Sequence, residues 1–577
     1  MRETTLILLG LLFLVIGGFA LERSEWFTAL KQAVHARAVP TGLLNYGPMG
    51  KVIKQLALVK AVSNDYSRFP ASKEIQYDIE TTIFQKKRHV GELLYEVNPG
   101  GENAFPSSVV IHEEDFKPGW PLISVVVDEN ALYDPVRGIV SHKMARGRQW
   151  ERLAYVSYYE DGKLMFATNA GLRLHGGRER GQLGAQNSYR LYFRKDYGEN
   201  QFRPGILFGP DTEPLKRLVI HADRAVPFIT GLAFDIARQI GAVVPEIKPV
   251  IFFLNGKSNG VFFLSEHVGK KQWESHFGHN NFAFYRHKST SDKDSLELYE
   301  KLKRWATDLE VRMTMKEVDT HVDLDNLCRH LFSFMFCGTT DWRQGVAALD
   351  KSKPHPKWFW INWDMDQSFL NYSLYTRNKI YWEQEAVEVI TTSRLLFWPG
   401  AKPRTINKRD TRSVLFMRLC VESPEFRQYF VRLVMDLLNH RISADFLKSR
   451  IDYYEQLARS YDESDRPLKA VEMLRDFVEH RPDFMRRQMQ QYFGTGKAFL
   501  AEVAGPAEIK YEIDGYPEKG GYRGHYYKGE QINVEILSSH KKSFSHWLVN
   551  GKQLTSSRLL YPVQSETVVK PVLKKHS

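Results

Sequence analysis

Cysteine is scarce in this chain. Cys328, Cys337 and Cys420 are the only three among 577 residues, too few for a disulfide framework or for cysteine-based zinc ligation, and they read as small apolar core residues. Metal-ligand spacing is also missing among the histidines. There is no His-Glu-x-x-His, and the closest pair, His276 and His279, has no third ligand nearby in sequence. No low-complexity tract, extended repeat or dominant Lys/Arg run occurs. With no zinc-finger or other nucleic-acid signature either, DNA and RNA are not the expected partners. Long apolar runs are absent but for one, residues 4–21, uncharged and flanked by Arg2, Glu3, Glu22 and Arg23.

That run, about 18 residues long, is near the lower limit for crossing the hydrocarbon core of a bilayer. Gly18 and Ala20 are small residues at the spacing a signal peptidase reads. Membrane anchor and cleaved signal peptide are both open for residues 1–22, and under either the rest of the chain is expected to be translocated. Hydrophobic residues make up 43% and charged residues 26%, a globular balance, and the length calls for two or three folded units. The net charge of +12 favours an acidic partner such as a nucleotide, a phosphate, an anionic headgroup or an anionic polymer.

Periodicity divides the chain further. Residues 23–104 read as a helical flanking segment, broken by Pro40, Gly42 and Gly47 and closing on the turn-rich Asn98-Pro99-Gly100-Gly101. From 105 the pattern becomes strand-like: 122–127 is a short buried strand, and 153–159 alternates into the Asp161-Gly162 turn, beyond which 163–168 completes a hairpin. Residues 171–174, 188–193, 250–254 and 261–265 read as further strands, with one helix at 228–240. Beyond Asp292 the chain is predominantly helical, notably at 324–337 and in the amphipathic runs of 412–493. The tail, 503–577, returns to short alternating strands around an Asn550-Gly551 hairpin turn and reads as a small immunoglobulin-like β domain. Its aromatic residues Tyr522, Tyr526, Tyr527 and Trp547 read first as core. The layout is α+β: a β-rich lobe and a helical lobe over 105–499, then a C-terminal β-sandwich.

Several of these segments carry motifs in a distinctive order. Leu132-Tyr133-Asp134-Pro135, Gly147-Arg148-Gln149-Trp150-Glu151-Arg152 and Ala170-Gly171-Leu172-Arg173-Leu174-His175-Gly176-Gly177 come first. Ser188-Tyr189-Arg190-Leu191-Tyr192-Phe193-Arg194, Leu254-Asn255-Gly256, Gly260-Val261-Phe262-Phe263-Leu264-Ser265-Glu266 and Trp360-Ile361-Asn362-Trp363-Asp364-Met365-Asp366 follow. In that succession, from about Pro106 to Gly494, the chain resembles the CotH kinase family, the spore-coat type of atypical protein kinase. The resemblance implies a divergent two-lobed protein-kinase-like fold. It further implies that ATP binds between the lobes and gives its terminal phosphoryl group, with Mg2+ or Mn2+, to a hydroxyl of a protein or surface polymer. With the amino-terminal run, the expected setting is the bacterial cell envelope, either exported (periplasmic or extracellular) or anchored by a single inner-membrane pass.

Phosphoryl transfer needs donors around the phosphates, cations against the anionic oxygens, a carboxylate to orient the attacking hydroxyl and carboxylates for the metal. The turn His175-Gly176-Gly177-Arg178-Glu179-Arg180-Gly181 matches the phosphate cover, so Gly176, Gly177, Arg178 and Arg180 are expected at the nucleotide. Where the family carries a lysine just before the equivalent of Ser188, this chain has Gln186-Asn187, and Arg190 is the cation placed to substitute. Glu266 matches the interlobe hinge and is expected near adenine or ribose. Asp341, in Thr339-Thr340-Asp341-Trp342, matches the catalytic base. The family's two asparagines, four and five residues further on, are Gly345 and Val346 here, neither able to ligate a metal, and Gln344 is the substitute ligand. Asp364 and Asp366 follow an apolar strand, so alternation puts both carboxylates on one face, a costly pairing without a cation.

Two readings follow from these departures. One is an active kinase. The other is a degenerate kinase-like module, a pseudokinase, that serves the envelope by binding. A carbohydrate hydrolase using Asp341 and Asp364 as its carboxylate pair is a third class, which the resemblance disfavours.

Overall fold

The computed structural model describes residues 83–89, 92–98, 109–112, 115–176, 186–198, 201–203, 205–210, 212–222, 227–286, 290, 292–339, 345–369, 410–461, 465–506, 508–537 and 543–574. The apolar run 4–21 and the site candidates Gly177, Arg178, Arg180, Asp341 and Gln344 lie outside them. Among the described residues no helix is long and apolar enough to cross a membrane.

Strands β1 (Ile83–His89), β2 (Glu92–Asn98) and β3 (Val109–His112) form a three-stranded antiparallel sheet. The helical reading of 23–104 is therefore corrected over its described part, and the boundary at 104/105 is crossed by the pairing of Val97 with Val109. His89 pairs with Glu92, a two-residue hairpin spacing. A helix over the same stretch would have carried Gly91 in its interior at a cost of about 1 kcal/mol.

Seven strands then close a barrel: β4 (Leu122–Val126), β5 (Arg152–Glu160), β6 (Lys163–His175), β7 (Ser188–Tyr192), β8 (Arg217–Ala222), β9 (Ile247–Leu254) and β10 (Lys257–Glu266). Their order is β10-β8-β7-β6-β5-β4-β9. The ladder is antiparallel except where β4 runs parallel to β9, Leu122 opposite Ile251. Ile123, Val125, Val156, Leu172, Leu191, Ile220, Phe252 and Leu264 share the core inside the barrel. Side chains alternate along a strand, so His175, Arg190, Tyr192, Arg217 and His221 lie on the outer wall. Part of that wall, Ile251, Phe253 and Phe263, joins the core formed by the helices.

Helix α1 (Ile229–Ile240) covers this apolar part. It stops at Gly241, φ +88°, whose N–H returns to the carbonyls of Ala237 and Arg238. Gly231 lets it approach: a Cβ there would stand 2.5 Å from the Tyr454 hydroxyl and 2.7 Å from the Phe263 ring. Helix α2 (Lys270–Phe277) leads to β11 (Phe282–Arg286), and α3 (Lys293–Thr307) to α4 (Leu324–Cys337). Strands β12 (Val346–Asp350) and β13 (Trp358–Ile361) complete a three-stranded sheet with β11. Four further helices, α5 (Thr411–Glu422), α6 (Pro424–Asp436), α7 (Ala444–Tyr461) and α8 (Asp465–Phe493), pack around α4. All three cysteines are buried, in α4 and α5. Arg481 of α8, 0% exposed, donates to the carbonyls of Met335 and Phe336 at 2.5 and 2.8 Å. It thereby satisfies the carboxyl end of α4 and opposes its dipole.

The tail contains β14 (Ala498–Val503), β15 (Lys510–Ile513), β16 (Tyr516–Lys519), β17 (Tyr522–Tyr527), β18 (Gln531–Ile536), β19 (Phe544–Val549), β20 (Lys552–Leu554), β21 (Arg558–Pro562) and β22 (Thr567–Leu573). They pair as β17-β14-β22-β19-β20 and β16-β15-β18-β21, and Tyr511, Tyr522, Tyr526, Trp547 and Val569 belong to the core the two sheets share. Asn550 and Gly551 adopt φ +47° and +83°, the geometry a tight hairpin needs.

A π-helical turn, Leu437–Arg441, fastens the helices to this tail. Asn439 exchanges two hydrogen bonds with the His525 backbone, at 2.9 and 3.0 Å. The His440 ring is stacked between Tyr516 and Tyr522, centroids 4.4 and 4.9 Å away. Its nitrogens face Glu518 at 3.1 Å and Asp514 at 3.7 Å. Burial alone would lower the imidazole pKa, but these two carboxylates outweigh it and hold the ring above its ordinary range.

Candidate functional site

The outer wall of β6, β7 and β8 is cationic. The Tyr192 ring lies under four guanidinium groups, those of Arg173, Arg194, Arg217 and Arg190, at 4.0, 5.0, 5.3 and 5.9 Å. Glu151 offsets two of them, accepting from Arg194 at 2.7 Å and facing Arg173 at 3.1 Å. Among the described residues no carboxylate stands within ion-pair distance of Arg190 or Arg217. Arg190 instead bonds the Tyr192 hydroxyl at 3.2 Å and His175 Nδ1 at 2.5 Å. Burial pushes its pKa down to about 10, which leaves it charged at neutral pH. Gly176, Arg146, Arg173, Arg190 and Tyr192 line a cavity of about 210 Å³ beside this wall.

Facing the wall is the segment after β13. Asn362, fully buried, anchors it by donating to Ser333 Oγ at 2.7 Å and accepting from His330 Nδ1 at 2.8 Å. Arg412 donates to the other ring nitrogen of His330 at 2.9 Å and pairs with Asp410 at 2.6 Å. Burial and the Arg412 charge hold His330 well below its ordinary pKa, so the neutral tautomer with hydrogen on Nδ1 satisfies both contacts. Beyond this anchor, Arg286 sits 4.6 Å over the Trp363 ring and its charge acts on Asp364. His221 Nε2 stands 4.0 Å from the Asp366 carboxylate. The charged wall and the Asp-x-Asp segment thus meet.

The alternation expected for Asp364 and Asp366 does not hold. The strand ends at Ile361, and Asp364 takes φ +60°, in the left-handed region where successive side chains no longer alternate. Glu266, 2% exposed, accepts from the Glu246 N–H at 3.0 Å and lies 3.2 Å from His276, so both its oxygens are engaged inside the protein. Thr339 bonds Ser368, two residues beyond Asp366, at 2.7 Å. A Cβ on Gly345 would come 2.9 Å from the Arg412 guanidinium carbon, and Val346 is fully buried in β12. Sequence reasoning missed Arg217, His221, His267, Arg286 and Arg146. The alternation Arg217, Val219, His221 was a signal for two of them. Nothing local marked the others.

Phosphate chemistry fits this donor set: fixed guanidinium forks, a glycine at φ +105° and, among the described residues, two guanidinium groups with no carboxylate at ion-pair distance. Among the described residues no three His, Cys, Asp or Glu side chains converge on a metal position. A hard octahedral cation that keeps water and phosphate oxygens takes one or two carboxylates, the number Asp364 and Asp366 provide.

A mixed α+β fold that opposes a cationic barrel wall to two carboxylates is suited to handling phosphoryl groups. The family model described as CotH kinase protein matches residues 172–490 of 577, more than half of the chain and both faces of the site, and the chain belongs to this family. Membership makes it kinase-like and implies a nucleotide and an acceptor substrate. No match was found among curated proteins.

Proposed function

We propose that this protein is an ATP-dependent phosphotransferase of the bacterial cell envelope, exported or membrane-anchored through residues 1–22, acting on a hydroxyl of a protein or surface polymer. The observation that carries the reading is the meeting of the cationic wall with the Asp-x-Asp segment, where Arg286 acts on Asp364 and His221 stands 4.0 Å from Asp366. In this reading the barrel is the β-rich lobe, helices α3 to α8 the second lobe, and the tail an accessory β-sandwich. ATP with Mg2+ or Mn2+ supplies the transferable phosphoryl group and the counter-charge for its oxygens. Arg190 and Gly176, with Gly177, Arg178 and Arg180, hold the phosphates by charge and close backbone approach. Asp364, Asp366 and Gln344 orient the metal, and Asp341 takes the proton of the acceptor hydroxyl. Glu266, bonded to Glu246 and His276, fixes the strand end that borders the nucleotide.

The test is transfer of labelled phosphate from ATP with either metal. The wild type labels itself or an acceptor, and Asp341→Ala abolishes labelling. No transfer by the wild type across a broad acceptor set would sink the enzyme reading.

A specific feature favours the degenerate reading. Arg412 crowds Gly345 and Val346 is locked in a sheet, so the two positions that carry asparagine in the family offer the metal nothing. In that reading the chain retains the nucleotide-binding wall and acts as a binding module, and nucleotide binding without transfer is its signature.

A further inference from the structure

His267 follows β10 and is 4% exposed, yet neither of its ring nitrogens has a hydrogen-bond partner. Buried polar atoms in folded proteins are rarely left unmet unless water or a ligand meets them. The ring lies against Gly269, where a Cβ would come within 2.6 Å of its Cε1, so the missing side chain makes room for it. Around it stand basic side chains from four strands. His175 of β6 is 6.3 Å away between ring centroids, and the charges of Arg190 (β7), Arg217 (β8) and Arg286 (β11) act on it as well. Register brings them together, because Tyr192 pairs with Arg217 and Leu218 with Glu266, which puts Arg217 and His267 at the next rung. Arg190 Nε is likewise buried without a partner.

We propose that His267, Arg190 and Arg217 form a buried donor cluster at the hinge end of the barrel wall that binds a phosphate group. The cluster lies beyond Glu266, the residue expected at adenine or ribose, and this inference rests on the nucleotide-cleft reading above. Three donors, two from adjacent strands and one from the turn after β10, suit a tetrahedral oxyanion better than a planar carboxylate. Burial and the surrounding cations keep the imidazole neutral, so it offers one N–H to an oxygen without adding charge. Selection of the donor is consequently weighted to its phosphates rather than its base.

The experiment is a calorimetric titration of the full chain, without metal, with inorganic tripolyphosphate and separately with orthophosphate. Arg217→Gln, Arg217→Lys and His267→Gln are compared after thermal melts establish that each folds. Tripolyphosphate binds the wild type. Arg217→Gln and His267→Gln each weaken it about tenfold or more, and Arg217→Lys, which keeps charge but loses the fork, falls between. Equal saturation by orthophosphate identifies free phosphate as the ligand and supports the cluster. Folded variants that bind tripolyphosphate as the wild type does overturn it, and ATP transfer that persists in them leaves the kinase reading standing. Conversely, Arg217-dependent binding in a protein that never transfers phosphate retains the cluster and removes the enzyme.

Discussion

At the scale of single residues, absent side chains position the site as much as present ones do. Gly231 lets α1 press on Phe263 and Tyr454, and the contact is closed on both sides because the Tyr454 hydroxyl is bonded to Asp235 at 2.7 Å. Gly231→Ala must displace one of them, and a loss of about 1–3 kcal/mol is expected, the usual cost of overpacking a filled core. Urea unfolding would read it as a lower midpoint at unchanged slope. An unchanged midpoint would mean the helix shifts freely. Gly345 is the functional counterpart. Its place against Arg412 could not be read from sequence, because the Asp410–Arg412–His330–Asn362 chain joins residues far apart in the chain. The candidate carboxylates were legible as a motif, but not the left-handed backbone at Asp364 that separates them from strand geometry.

Among the elements, those set by local rules were legible. The hairpin at Asp161-Gly162, the helix ending at Gly241, the buried helix Leu324–Cys337 and the Asn550-Gly551 turn each follow from period and turn chemistry within a short window. Elements decided by distant partners were not: β1 and β2 read as helix, and the barrel closes through the parallel β4–β9 pair. The π-helical turn belongs to the second kind. His440, Asp514 and Glu518 meet there, with Tyr516, Tyr522, Arg441 and Asp436 around them.

A histidine whose folded pKa is raised contributes stability that is complete below about pH 6.5 and lost as pH rises through the folded value. Burial lifts Asp436 to about 6, so its ionisation also opposes the folded state, but over a lower window, from about pH 4 to about pH 6, which leaves the range above to His440. Stability of the joint between helices and tail is therefore expected to fall from about pH 6.5 upward. His440→Gln should lower stability at pH 6 and flatten this dependence. Calorimetric melts across pH 5.5–9, chosen to span about three units around the ordinary histidine value, check both points. Parallel profiles for variant and wild type would exclude His440 as the cause.

For the whole molecule, family, barrel and helices converge on one region, the meeting of the cationic outer wall with 362–366. The order of motifs along the chain made the family legible. The meeting of wall and segment in three dimensions was not, since Arg190, Arg217, Arg286 and Asp366 come from four separate segments. The measurement that bears most directly on this region is titration of the full chain with ATP in the presence and absence of Mg2+ or Mn2+, repeated with Asp364→Asn. Binding that needs the metal and is weakened at least about tenfold by the loss of one carboxylate charge is the expected result. Binding that is independent of metal and unchanged in Asp364→Asn would contradict a nucleotide site at this position.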